Sequence, residues 1–424
     1  MMLVAWLVTF FDGFDQNVVA FAAPYLIERL GFTDSMMSHV FGSGIAGSLI
    51  GGFLFGFVGD RIGRRAAIIL CSAMFGTLTI GLAFVTDYKE FLAVRFLNGL
   101  ALGGAIPLIW ALTIEYVPRR FRATAVTLIM LGYGLGVASS GPLSVQLIPR
   151  FGWPSVFIFG GGASLLSVAL LYFALPESLR FLATQPNQDA KIHRIVRKLA
   201  PERPDQPAVK YVLSGQEPSA RAELGPASLF RGPLRLVTPL LWIAYAASSM
   251  ASYFFTTWGP LVFERIGFSR EMSAYGTSLN SLCGAIGGLL LMRVIDRVGA
   301  VSLALMPAIA VPLLLVVGFG SLSSTTFVVL MASIMLFLGG SHYGVFSVTG
   351  TFYPTTHRAL GTGWASGMGK IGSIAAPYFG GWLLASQIPV ERTFAALAIC
   401  PAVFCACMAT VGILERRGRI SPAA

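Results

Sequence analysis

Twelve runs of mostly apolar residues, each about 17–25 residues long, constrain this chain more than anything else in it. They fall near 3–27, 36–58, 66–86, 91–117, 123–147, 154–175, 236–263, 271–292, 300–319, 325–350, 361–386 and 392–414, six on each side of a polar segment, 176–235. A helix of that length crosses the ~30 Å hydrocarbon layer of a bilayer, so the expectation is an all-α membrane protein in two six-helix bundles. Only 12% of the 424 residues are charged, about half the share a soluble domain carries. A cytosolic enzyme, a nucleic-acid-binding module and a disordered chain are thereby excluded. The first run is read as a span rather than a signal peptide, because Asp12 and Asp15 interrupt it and no basic stretch precedes it.

The net charge of +11 then reports orientation. With both termini in the cytoplasm, the inner loops and tail hold 22 of the 30 Lys and Arg, and the outer loops and their edges hold 7. The positive-inside rule therefore places both termini in the cytoplasm and the protein in the inner or plasma membrane. The layout is a bundle over 1–175, a cytoplasmic linker over 176–235, a bundle over 236–414 and a tail over 415–424. The linker carries eight prolines and one periodic stretch, in which Ile192, Ile195, Val196 and Leu199 form an apolar stripe. Such a helix lies against the inner leaflet or packs under the bundle. All five cysteines sit in apolar runs, with neither a CxxC pair nor a zinc-type spacing.

The halves repeat. Gly59-Asp60-Arg61-Ile62-Gly63, after the second span, is echoed by Ile295-Asp296-Arg297-Val298-Gly299 after the eighth, and the two acids are 236 residues apart. Pro118 and Arg122 are matched by Pro354 and Arg358 at the same offset. A parallel repeat of six spans places a substrate path between the halves, near the bilayer midplane.

The loop Gly56-Phe57-Val58-Gly59-Asp60-Arg61-Ile62-Gly63-Arg64-Arg65 combines glycines for a tight turn with one acid and a basic cluster fit for an ion-pair latch. With its second copy at Asp296 and Arg297, it resembles the cytoplasmic signature of the major facilitator superfamily. Pro176-Glu177-Ser178-Leu179-Arg180 is similar to that superfamily's motif after span six. The resemblance covers essentially the whole chain and implies gating by this loop. A glycine series, Gly42, Gly44, Gly47, Gly51, Gly52 and Gly56, matches a dinucleotide fingerprint by letter only and reads as a helix-packing face.

Two acids inside span one are the most informative residues. Asp12 and Asp15 are three residues apart, hence about 60° apart on the helix, and Asp12 falls close to the midplane. An ionised carboxylate there costs about 2.5–3.5 kcal/mol on insertion scales, so such acids face a cavity and act in transport, or are neutralised by a basic partner. Phe10-Phe11-Asp12-Gly13-Phe14-Asp15, followed by Pro24, resembles the first-span signature of the aromatic acid/proton symporter family within the superfamily. Gln16 stands where that family has a small hydroxyl. The resemblance implies proton coupling through Asp12 and Asp15.

Further candidates are cationic. Lys370 lies mid-span among Gly367, Gly369 and Gly372 and needs an anion, either an acid on another helix or a substrate carboxylate. The family has arginine at that place; lysine attracts a carboxylate as a point charge without gripping it bidentately. Arg95 opens span four, either snorkelling to the outer surface or binding substrate. Glu115 closes the same span, either bridging to Arg119 or Arg122 or acting in coupling, and Arg358 is its counterpart in the repeat. His342 in span ten either lines the cavity or is a packed, hydrogen-bonded core group.

The expected function is proton-coupled uptake of an aromatic or related small organic carboxylate, by a monomer in membrane lipid, with protons as coupling ion and no cofactor or nucleic acid. An exporting antiporter is the alternative; Gly141-Pro142 is similar to its motif, but Leu143-Ser144-Val145-Gln146 follows in place of paired glycines. A non-transporting sensor of aromatic acids would need an output domain that the linker and tail are too short to form. An enzyme finds neither nucleophile–base set nor metal cluster.

Overall fold

The computed structural model describes residues 2–199, 225–232, 234–298, 301–353, 357–386 and 388–416, apart from the side chains at 119, 123, 292–298, 301–302, 346–351, 358–359 and 416. The described residues are helical throughout the spans: α1 (Met2–Leu30), α2 (Asp34–Ile62), α3 (Arg64–Leu82), α4 (Tyr88–Tyr116), α5 (Arg122–Phe151) and α6 (Pro154–Ala174) form the first half. After α7 (Leu179–Thr184) and α8 (Asp189–Leu199) come α9 (Leu234–Arg265), α10 (Arg270–Val298), α11 (Val301–Phe319), α12 (Ser324–Phe352), α13 (Arg358–Ala385), α14 (Arg392–Leu397) and α15 (Ile399–Arg416). Each of the twelve apolar runs is one helix, except that the last is broken at Ala398 into α14 and α15. The apolar stripe of the linker is α8, and Ile192 on it is buried.

Eight of the described helices are long and apolar enough by composition alone to cross a bilayer; α1, α10 and α13 are not among them. Those three carry acids, serines or glycines because they face the other half instead of lipid. The helix starts are set locally. Thr33 caps α2 by accepting from the Met36 amide at 3.2 Å, and Asp87 caps α4 by accepting from the Lys89 amide at 2.8 Å.

The repeat read from the loops extends to the packing. Within the first half α2 packs on α4, α1 on α5 and α3 on α6; within the second, α10 on α12, α9 on α13 and α11 on α15. Backbones approach at glycines with the same 236-residue offset. A Cβ on Gly51 would stand 1.9 Å from the Leu100 carbonyl oxygen, and one on Gly287 1.8 Å from that of Leu336. Gly136 meets Phe10 and Gly372 meets Ala246 in the same way. Lipid tails are as apolar as side chains, so this close fit supplies the attraction that burial supplies in water. Of the glycine series in α2, Gly44, Gly47 and Gly51 pack on α4, Gly42 meets Tyr378 of α13, and Gly56 has nothing within 4 Å.

The halves meet where α2 faces α13 and α5 faces α10. One end of the molecule carries the start of α1 and the end of α15; it is called the terminal face below, and the other the far face. At the far face Arg265 Nη2 donates to Asp34 Oδ1 at 2.6 Å and Arg270 Nη2 to Glu28 Oε2 at 2.6 Å, both across the halves. A Cβ on Gly381 would lie 1.8 Å from Ser38 Oγ, so α13 and α2 touch there. The far face is shut.

Candidate functional site

Asp12 and Asp15 are both buried, and they face different neighbours. Asp15 points into the first half. Thr79 Oγ1 donates to its Oδ1 at 2.7 Å, and Arg95 Nη1 lies 3.5 Å from its Oδ2. Arg95 also donates to Asn98 Oδ1 at 2.8 Å, and Asn98 Nδ2 donates to Thr79 Oγ1 at 2.8 Å. The result is a closed network of α1, α3 and α4. Arg95 therefore neither snorkels nor lies open to a substrate as the sequence reading allowed: its side chain is 3% exposed, and the charge that fixes it is Asp15. Arg95 lies five residues from the capping Asp87, one turn and a half into α4, already inside the packed bundle.

Asp12 points at the second half. Its Oδ2 is buried without a hydrogen-bond partner, and the charge of Lys370 acts on it from α13. Lys370 Nζ donates to Ser48 Oγ of α2 at 3.1 Å, a contact between the halves. Ser248, 236 residues after Asp12, takes the matching place in α9 and shares a hydrogen bond of 3.0 Å with His342 Nδ1. At 1.5 Å per residue, Asp12, Ser48, Tyr133, Ser248, His342 and Lys370 all lie roughly 15–21 Å along their helices from the terminal face. Six helices thus deliver polar groups to one level, half-way through a hydrocarbon layer of about 30 Å.

Gly13 explains how Tyr133 reaches this level. A Cβ on Gly13 would stand 2.2 Å from the Tyr133 carbonyl oxygen, so α1 and α5 touch backbone to backbone beside Asp12. Tyr133 interacts electrostatically with Asp12. The sequence reading passed over Tyr133, although Gly132, Gly134 and Gly136 flank it much as glycines flank Lys370. It also passed over Ser48, Thr79, Asn98 and Ser248, hydroxyls and an amide that carry no signal of their own in a single sequence.

The signature loop is built within the first half. Gly63 has φ +98°, and a Cβ on it would lie 2.5 Å from Glu177 Oε2, so glycine is required twice over. Arg64 forms an ion pair with Glu115, which also accepts from Ser178 Oγ at 2.6 Å. Glu177 accepts from the Arg65 amide at 3.0 Å, and Tyr116 Oη donates to the Glu177 carbonyl at 2.5 Å. The partner of Glu115 is thus Arg64 instead of Arg119 or Arg122. Asp60, expected in a latch, is exposed and makes no hydrogen bond or ion pair among the described residues, while Arg61 stacks over Phe57 at 4.0 Å. With the far face shut, the latch acid at the terminal face is disengaged. Gly56 and Gly59 lie on the last two turns of α2, with Gly59 against Leu108. The side chains of Asp296, Arg297 and Arg358 lie outside the described residues.

A cavity of about 350 Å³ opens at the far-face seam, lined by Phe21, Tyr25, Ile148, Pro260, Glu264 and Arg270, with Glu271 at its edge. It is not the substrate site: two acids outnumber its one cation, and Asp12 and Lys370 are absent from its walls.

The sequence matches the family described as Major Facilitator Superfamily over residues 5–347 and again over 241–423. It is 32% identical to a 4-hydroxybenzoate transporter of Acinetobacter baylyi, over 91% of this chain and 84% of that one. It is 31% identical to a gallate transporter of Pseudomonas putida, over 100% and 93%. The fold superposes on a partially occluded, inward-open xylose transporter of Escherichia coli with a TM-score of 0.74, at 17% identity, over 97% of this chain and 96% of that one.

Proposed function

The chain belongs to the major facilitator superfamily, and on that premise we propose that it is a proton-coupled importer of an aromatic carboxylate in the cell membrane. The observation that carries the reading is the pairing of a buried, unsatisfied acid with a cation from the opposite half: Asp12 on α1 and Lys370 on α13. The relatives named for hydroxybenzoate and gallate support an aromatic acid as cargo.

In the cycle we propose, both termini are cytoplasmic, so the shut far face is the outside and the state described is inward-facing. Lys370 attracts the substrate carboxylate as a point charge, releasing Ser48 and with it one tie between the halves. Asp12 is the proton carrier, because it has an unpartnered oxygen and no fixed cation within hydrogen-bonding reach. Asp15 stays charged opposite Arg95 and keeps α1 registered on α3 and α4. A proton taken up by Asp12 from outside neutralises the acid beside the incoming anion, which lowers the cost of closing the halves around both. Protons are the coupling ion, and no cofactor takes part.

The test is uptake of labelled 4-hydroxybenzoate and benzoate into proteoliposomes under an imposed inward pH gradient. Accumulation that collapses when the gradient is dissipated supports symport. Outward flux driven by an inward proton gradient would replace it with the exporting antiporter.

A further inference from the structure

Three phenols stand around Asp12 that the cycle above does not use. Tyr133 comes from α5, Tyr253 from α9 and Tyr343 from α12, so both halves contribute. Tyr133 interacts electrostatically with Tyr253, Asp12 and Tyr343, and Tyr343 with Tyr253. None of the three hydroxyls makes a hydrogen bond among the described residues. Next to Tyr253 the Ser252 Oγ is buried and also without a partner.

Unpaired hydroxyls are not the habit of this protein. Ser373 bonds back to the Gly369 carbonyl at 3.0 Å, Ser341 to that of Phe337 at 3.0 Å and Thr256 to that of Ser252 at 2.9 Å. In a membrane interior a polar group without a partner is costly, so hydroxyls left open in one place belong to a site that something else completes. The rings are held in position: a Cβ on Gly288 would lie 2.7 Å from the Tyr343 ring, and Gly13 lets α5 bring Tyr133 against Asp12. His342 meets Tyr343 edge to face at 5.8 Å and is itself engaged by Ser248.

We propose that Tyr133, Tyr253 and Tyr343, with Ser252, form the hydroxyl-reading end of the substrate site, selecting hydroxylated aromatic acids over the unsubstituted ring. The inference rests on the reading of the protein as an aromatic-acid transporter. The carboxylate belongs at Lys370, the mobile cation of the site. Placed among the phenols, a carboxylate would face Asp12 with no cation of its own. A phenolic hydroxyl suits them better, since it donates and accepts at once and bears no charge. A site built to hydrogen-bond a substrate hydroxyl penalises the analogue that lacks it, because its own groups are then left unpaired.

The experiment is binding of 4-hydroxybenzoate, 3-hydroxybenzoate and benzoate to the purified full-length protein, by titration calorimetry, for wild type, Tyr133→Phe, Tyr253→Phe, Tyr343→Phe and the double variant Tyr253→Phe/Tyr343→Phe. Phenylalanine keeps each ring and removes only the hydroxyl. The double variant is expected to lose about five- to tenfold or more in affinity for at least one hydroxylated acid, while benzoate stays within about twofold of wild type. Retained benzoate binding also shows that the variant is folded. Equal weakening of all three acids, with a displaced pH profile of uptake, would overturn the proposal and assign the phenols to proton transfer toward Asp12. No change for any acid overturns it as well. A wild-type protein that binds none of the acids removes the transport reading beneath it, an outcome distinct from either of these.

Discussion

Arg95 Nη1 stands 3.5 Å from Asp15 Oδ2 inside the first half, and nothing comparable holds Asp12 one helical turn away. The two acids of span one therefore do different work, and their neutral variants should separate. Asp15→Asn strands a buried guanidinium, which costs about 3–5 kcal/mol when one partner of a buried pair is removed. It should lower the melting temperature and the folded yield, and Arg95→Gln should restore part of the loss. Asp12→Asn should leave the melting temperature close to wild type or higher and abolish pH-driven accumulation, because an amide carries no proton. Equal melting temperatures for the two single variants would show that Arg95 does not depend on Asp15.

Much of this was legible in the sequence. Span number, the 236-residue repeat and the two acids followed from hydropathy, spacing and the cost of charge in lipid, which are local properties. What escaped was direction. Asp12 and Asp15 are about 60° apart on α1, and that angle alone decides that one faces Lys370 and the other Arg95; no count of residues reveals which neighbours those faces meet. Arg95 looked interfacial because it lies near the start of its span, yet the packing of α4 against α3 buries it. Asp60 was read from its motif as a latch, and the state of the molecule, shut at the far face, leaves it unpaired. Tyr133 was hidden because a tyrosine in an apolar run is ordinary until Gly13 is seen to press α5 against α1.

Gly13→Ala tests that contact. The added methyl would stand 2.2 Å from a backbone oxygen, which cannot rotate away, so α1 and α5 must part. Overpacking of this kind costs about 1–3 kcal/mol. Detergent melting curves should fall accordingly, and binding of the aromatic acid should weaken with them, since Asp12 and Tyr133 move apart. An unchanged melting temperature and unchanged binding would mean that the helices yield freely there.

The far-face ties predict a shift in conformation. Arg265→Ala with Arg270→Ala removes the contacts to Asp34 and Glu28. Exposed pairs contribute about 0.2–1 kcal/mol each, so the outward-open population should rise by roughly two- to thirtyfold relative to the inward one. Reactivity of a cysteine placed at Ser144 toward an impermeant maleimide reads that population. The swapped pair Asp34→Arg/Arg265→Asp should return it toward wild type, and unaltered reactivity in the alanine variant would deny the ties a gating role.

Asp60 is unpaired in the state described, so Asp60→Asn should leave inward-facing binding intact and slow turnover, by weakening the state in which the terminal face closes. The measurement is substrate affinity against uptake rate. Loss of affinity with unimpaired exchange would place Asp60 in the site instead of the gate.

Lys370→Met separates the two partners that the ammonium could serve. Methionine matches the aliphatic stem of lysine, so the packing of Gly369 and Gly372 on α9 is kept while the charge is removed. Loss of a charge-assisted hydrogen bond to the substrate carboxylate costs about 1.5–3 kcal/mol, or roughly ten- to a hundredfold in affinity. Lys370→Arg should retain binding and can tighten it where the anion accepts two parallel bonds. If Lys370 serves chiefly to neutralise Asp12, Lys370→Met instead leaves that acid as an isolated buried charge. Transport would then move to a different pH optimum while affinity at low pH, where Asp12 is protonated, stays near wild type. Titrating substrate binding across pH distinguishes the outcomes. A dissociation constant unchanged at low pH, together with a displaced optimum, would remove Lys370 from the anion site and leave it as the partner of Asp12.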